Sequence, residues 1–177
     1  EEDYHRLGSK SQGPYVSQSL LKIVRDMTPE HALEWCHNPP EQTEAMEFGD
    51  ALHKALLEPD RAKELVVEGL GIDRRSKKNQ ALWAEFEAKQ KGKTILSPAK
   101  MEQLTEMVDA AKRHHRLSQF LDAPGLTEVT IVWDDPATGL RCKARLDRLV
   151  QWQGWNVIFD LKTIPGYTAP RPDRKST

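Results

Sequence analysis

The residues able to do chemistry concentrate in Cys142–Thr163, which reads CKARLDRLVQWQGWNVIFDLKT. Asp160 and Lys162 lie two apart, and Val157, Phe159 and Leu161 alternate with them, the pattern of a strand with one polar and one apolar face. Asp147, on the segment before, can face that pair across a ladder. Two carboxylates and an ammonium on one patch are costly unless a cation sits among them. Elsewhere in the chain, His53 and Glu128 complete the candidate set. Two aspartates with a neutral imidazole and a backbone carbonyl suit a hard or borderline divalent cation, Mg²⁺ first and Mn²⁺ as a substitute. Such a cation takes one or two carboxylates and leaves room for waters and substrate phosphate oxygens. A water it carries could attack phosphorus while its charge stabilises the scissile phosphate. Lys162 could orient that water or help deprotonate it, because a lysine's pKa moves with its surroundings. Spacing alone supports a candidate metal site and no more.

The elements that must hold these residues follow from periodicity. Residues 1–16 are polar, with Gly8, Gly13 and Pro14, and read as a flexible arm. Helices are expected from Ser17 to about Met27 and from Thr28-Pro29, where threonine can cap and proline suits the first helical position. The helix of about Ala45 to Glu58 carries Phe48, Leu52 and Leu56 on one stripe, with His53 on its border and Gly49 one turn earlier. A glycine in mid-helix costs ~1 kcal/mol against alanine, which points to close approach of another segment there. Pro59 ends this helix. Further helices contain Leu82, Trp83 and Phe86, then Met101, Leu104, Val108 and Ala111 after a Ser97-Pro98 start. A short turn through Leu117, Phe120 and Leu121 leads to Pro124-Gly125.

Beyond that turn the period changes to two. Thr127–Trp133, about 141–150 and 155–162 read as strands with short connections, an antiparallel three-strand meander. The expected fold class is α/β (α+β): a helical part over 17–123 packed on a small mixed sheet whose core strands occupy 127–163. Residues 164–177 carry Pro165, Pro170 and Pro172 and read as an irregular tail.

At 177 residues, 38% hydrophobic and 30% charged, the chain has the composition of one soluble globular domain. No run reaches the ~18 apolar residues of a membrane span, and the first residues lack the apolar core of a signal peptide, so a cytoplasmic location is expected. The net charge of −1 excludes a uniformly basic coat for nucleic acid, and any such contact must come from local patches. Arg74, Arg75, Lys77 and Lys78 form one, readable as a phosphate clamp or as a solvated helix start. Cys36 and Cys142 form no ligand pair and are expected to be buried thiols. Trp152, in a polar connection, is the tryptophan expected to be exposed.

Five segments in order, Glu47-Phe-Gly-Asp-Ala-Leu-His53-Lys-Ala-Leu-Leu-Glu-Pro59, Asp73-Arg-Arg-Ser76, Thr127-Glu-Val129, Cys142-Lys-Ala-Arg-Leu-Asp147 and Phe159-Asp-Leu-Lys-Thr163, resemble the RecE-type exonucleases (exonuclease VIII) of the PD-(D/E)XK superfamily. The resemblance spans about residues 4–163. It implies a PD-(D/E)XK-like fold and a Mg²⁺-dependent exonuclease that resects duplex DNA from 5′ ends. The overhang would pass to a single-strand annealing protein in phage-type recombination. It places His53, Asp147, Asp160 and the Leu161 carbonyl as metal ligands, Lys162 as the catalytic lysine and Glu128 as the first-strand glutamate. It also implies a ring-shaped homo-oligomer and no membrane.

One departure accompanies the match. In the superfamily a helix and a further strand follow Asp-x-Lys, and in this family that helix carries Gln and Tyr; here Ile164–Pro172 is proline-rich with no Gln-x-x-x-Tyr. The sequence thus reads as cut short after Lys162. The alternatives that stay open are an inactive prophage remnant that binds DNA or a partner, and a structure-specific endonuclease. Asp147 between Arg145 and Arg148 also has a plainer reading as a cross-strand ion pair, as do Asp160 and Lys162.

Overall fold

The computed structural model describes residues 15–163. Two short helices come first, α1 (Gln18–Asp26) and α2 (Pro29–His37). Ser17 Oγ accepts from the Leu20 amide and Thr28 Oγ1 from that of His31, so both starts are capped as their sequences dictate. Helix α3 (Glu44–Leu57), capped by Thr43, buries Phe48, Ala51, Leu52, Leu56 and Leu57. With Leu96 and Leu104 these residues form the core, and Leu161 packs against it. The stripe read from the sequence is therefore the buried face of the central helix.

Pro59 ends α3 but also starts α4 (Pro59–Leu65), because a proline is as well suited to the first helical turn as it is unsuited to the interior. After α4 come β1 (Val66–Glu68), α5 (Lys77–Lys89) and β2 (Thr94–Leu96). Strands β1 and β2 pair in parallel as their own two-stranded sheet, which periodicity did not reveal. Next come α6 (Pro98–Arg113), capped by Ser97, and α7 (His115–Asp122), a helix where a turn was expected. His114 joins them, and its Nδ1 accepts from the Leu117 amide.

The meander is β3 (Gly125–Asp134), β4 (Arg141–Trp152) and β5 (Trp155–Phe159), antiparallel in that order. Asp135 organises the first connection by accepting from the Thr138 amide at 2.9 Å and its hydroxyl at 2.6 Å. Gln153 and Gly154, both at positive φ, make the two-residue hairpin loop that matches strand twist. Arg148 ties the sheet to the helices by donating to the carbonyls of Phe120, Leu121 and Ala123 at the end of α7. The Phe120 ring packs on Trp152 and Phe159, with centroids 4.9 and 5.8 Å away.

Four further expectations change. Strand β5 stops at Phe159 rather than 162, because the Leu161 amide, where the ladder would continue, donates to the Asp147 carboxylate at 2.6 Å. Cys36 is exposed and Cys142 only half-buried, since α2 buries Ala32 alone and Cys142 lies at an end of the sheet. Trp152 is covered by Phe120, and Trp155, 75% exposed, is the solvent-facing tryptophan of the hairpin. Val16, assigned to the arm, bridges Cys142 in parallel. The rest of the arm and the tail from Ile164 lie outside the described residues, as does the departure from the family pattern after Lys162.

Candidate metal centre

Three side chains from three elements converge: His53 of α3, Glu128 of β3 and Asp147 of β4 bring ligand atoms within 4.8 Å of one another. Ligands held cis in a shell of ~2.1 Å bonds are ~3.0 Å apart and trans ones ~4.2 Å, so shifts of a few tenths of an ångström would close the set on one small cation. Carboxylate, carboxylate and imidazole are a donor set suited to Mg²⁺ or Mn²⁺.

Each ligand is oriented by its surroundings. His53 Nε2 lies 3.0 Å from the Leu161 carbonyl. A carbonyl only accepts, so the proton is on Nε2 and the Nδ1 lone pair is left for a cation. Nδ1 is 3.7 Å from Asp147 Oδ2. Asp147 is the one buried charged residue among those described, 8% exposed, and Oδ2 also accepts from the Leu161 amide. Leu161 therefore straps the site through both of its peptide groups, with its side chain anchored on the core.

Glu128 has φ +52° in the middle of a strand. The pairs Thr127↔Arg148 and Val129↔Leu146 hold the ladder on either side of it. A left-handed non-glycine residue there costs on the order of 1–3 kcal/mol and persists only where its surroundings over-determine it. Its carboxylate is 2.9 Å from Arg145 Nε, and both side chains are largely buried.

Asp160 and Lys162 stand differently. They pair with each other at 2.8 Å, and both side chains are more than half exposed. Asp160 is not in the converging trio, and the Leu161 carbonyl is engaged by His53. The Asp160–Lys162 pair sits at the rim instead. An open trough of about 440 Å³ runs beside it, lined by Gly49, Asp50, His53, Leu161, Lys162 and Thr163. Gly49 lets that segment pass: a Cβ there would meet Thr163 Oγ1 at 3.6 Å.

The basic cluster is split. Arg74 lies over the Trp83 ring at 3.7 Å and beside Glu87, facing a separate cavity of about 270 Å³. Arg75 turns back to Asp73, while Lys77 and Lys78 open α5 on the exposed surface. Of the arginines flanking Asp147, Arg148 donates to the carbonyls at the end of α7 and Arg145 pairs with Glu128.

Sequence reasoning missed Arg145 and Asp50 as part of this environment. Both line, with His53 and Glu128, a space of about 10 Å³ next to the trio. The available signals were positional. Arg145 is two residues before Asp147 on one strand, hence on the same face, and Asp50 is one helical turn before His53.

Residues 17–171 match the model of a family described as a PDDEXK-like domain of unknown function (DUF3799), and the chain belongs to that family. The match supports the PD-(D/E)XK superfamily, and a nuclease is the activity class that this membership suggests; such nucleases generally depend on divalent metals. A comparison with curated proteins finds no match. No helix among the described residues is long and apolar enough to cross a membrane.

Proposed function

We propose that the chain is a Mg²⁺-dependent deoxyribonuclease of the RecE type, an exonuclease that resects duplex DNA from 5′ ends for phage-type recombination. The observation that carries the reading is the convergence of His53, Glu128 and Asp147 beside the Asp160–Lys162 pair, in a chain of the PDDEXK-like family. A divalent cation there supplies an acidified water and positive charge for the phosphate. His53 Nδ1, Asp147 and Glu128 would hold that cation, and Leu161 orients two of them, His53 and Asp147. Asp160, paired with Lys162 at 2.8 Å on the rim, would be a further carboxylate for that cation, and the Lys162 ammonium would orient water at the phosphate. Asp147 accepts from the Leu161 amide, which fixes the direction of its carboxylate.

Duplex ends are the expected substrate, with Arg75, Lys77 and Lys78 against phosphates and Arg74 as a stiffener of the same surface. A single-strand annealing protein and a ring of copies would be the partners. The test is digestion of linear duplex labelled at either 5′ or 3′ ends, next to covalently closed circular duplex, with and without Mg²⁺. Release from 5′ ends of linear DNA alone is expected. Cutting of the closed circle would replace this reading with an endonuclease.

A second reading, DNA or partner binding without cleavage, is favoured by one observation. Lys162 and Asp160 occupy each other in the described structure. Retained DNA binding with no Mg²⁺-dependent release from any substrate would select it.

A further inference from the structure

Arg145 is a charged neighbour that the proposed mechanism does not use, and it lines the space beside the trio together with Asp50, Lys54 and Glu58. Its Nε is 2.9 Å from Glu128 Oε2, its side chain is 25% exposed and that of Glu128 is 18% exposed. With Asp147 also buried, two carboxylates of the trio lie in a region where like charges repel strongly, and Arg145 supplies a full positive charge among them. We propose that Arg145 is a resident counter-cation: it holds the Glu128 carboxylate in the metal-free protein and competes with the divalent ion for it, thereby setting the affinity of the site. The inference rests on the metal-site reading given above.

Two features separate competition from simple positioning. First, the backbone on either side of Glu128 is held by the strand pairs Thr127↔Arg148 and Val129↔Leu146, whereas the 2.9 Å contact of Arg145 is to the Glu128 carboxylate, the group a cation would take. Second, Arg145 and Glu128 meet at the space of about 10 Å³ that also touches His53, a volume on the scale of one water. A guanidinium a few ångström from a dication repels it. At ~5 Å and even with the dielectric of water, that repulsion corresponds to roughly tenfold in affinity, and burial enlarges it. The alternative outcome, loss of Glu128 orientation, would act in the opposite direction, so the sign of the change decides.

The experiment is calorimetric titration of Mn²⁺ and Mg²⁺ into wild type, Arg145→Met, Arg145→Lys, Glu128→Gln and the Arg145→Met/Glu128→Gln double variant, with thermal melts of each in chelator. Arg145→Met should bind the metal about tenfold more tightly and melt lower when metal-free, because its carboxylates have lost their counter-charge. Arg145→Lys keeps the charge and should stay near wild type in affinity. In the Glu128→Gln background the methionine substitution should tighten binding far less, since the contested carboxylate is gone. Equal or weaker binding by Arg145→Met, with wild type binding normally, overturns the inference and leaves the metal site standing. If Arg145→Met does not fold, tighter binding by Arg145→Lys than by wild type overturns it, and wild-type affinity in that variant with a lowered metal-free melt supports it. Absence of binding by wild type overturns the metal site itself and this inference with it.

Discussion

Replacing Asp147 separates its structural and chemical duties. Its Oδ2 accepts from the Leu161 amide at 2.6 Å and faces His53 Nδ1 at 3.7 Å, in a residue 8% exposed. Asp147→Ala orphans the Leu161 N–H and leaves a small void, a cost of about 2 kcal/mol. For a chain of this size that lowers Tm by ~4–8 °C. Asp147→Asn keeps an acceptor oxygen and removes one of two neighbouring negative charges, so the metal-free protein should melt within ~2 °C of wild type or above it. Metal tells the other half. At a concentration of 100 Kd, a folded-state ligand adds ~2.7 kcal/mol, which wild type should show as a rise in Tm of several degrees. Both variants should lose most of that rise. Melts followed by circular dichroism, with and without Mg²⁺ or Mn²⁺, provide the assay, and hydrogen exchange at the Leu161 amide locates the change. Equal melting of the Ala and Asn variants in chelator would refute the strap, and an undiminished metal-induced rise in Asp147→Asn would refute its role as a ligand.

Other substitutions test the scaffold. Arg148→Met removes three charge-assisted bonds to the end of α7 and should cost about 3 kcal/mol in urea unfolding; a loss below about 1 kcal/mol contradicts that tie. Gly125→Ala would drive a Cβ into the Leu149 carbonyl and to 2.8 Å from the Val150 Cα, whereas at Gly92 nothing lies within 4 Å. The first should therefore unfold at lower urea than the second, even though Gly92 has φ +82°. Thr138, through its hydroxyl first and its amide second, holds the Asp135 carboxyl below its ordinary pKa. The contribution of that turn to stability is thus present above the ordinary carboxylate pKa and is lost as pH falls through the lower folded value. Thr138→Val should return the Asp135 titration toward the ordinary value by NMR, and no upward movement would contradict the assignment.

What was legible in the sequence was mostly local. Ser17, Thr28, Ser76 and Ser97 cap helices whose starts need only the next three residues to be read. The Phe48–Leu52–Leu56 stripe and the meander follow from periods of 3.6 and 2. Strands β1 and β2 did not, because three residues are too few to show a period and their partnership is set by distant packing. The end of β5 was equally non-local: an Asp147 side chain, not a breaker residue, stops the ladder at Phe159. At the site, Asp147 and Glu128 could be placed opposite each other by strand order, but His53, legible as a candidate on the border of the α3 stripe, reaches them only through tertiary packing. Arg145, two residues before Asp147 on its own strand, pairs with Glu128 because a long side chain reaches a diagonal neighbour across the ladder as easily as one on its own strand.

The central claim is that this trio and the adjoining Asp160–Lys162 pair hydrolyse DNA. The most direct measurement is the Mg²⁺-dependent rate of nucleotide release from linear duplex DNA by wild type, Asp147→Asn and Lys162→Ala, each verified as folded by its melt. The account predicts release by wild type that stops with chelator and falls by at least a hundredfold in both variants, as for loss of a metal ligand or of a proton-transfer group worth ~10²–10⁴. Release at the wild-type rate by Asp147→Asn, or none by wild type at any Mg²⁺ concentration, would contradict it.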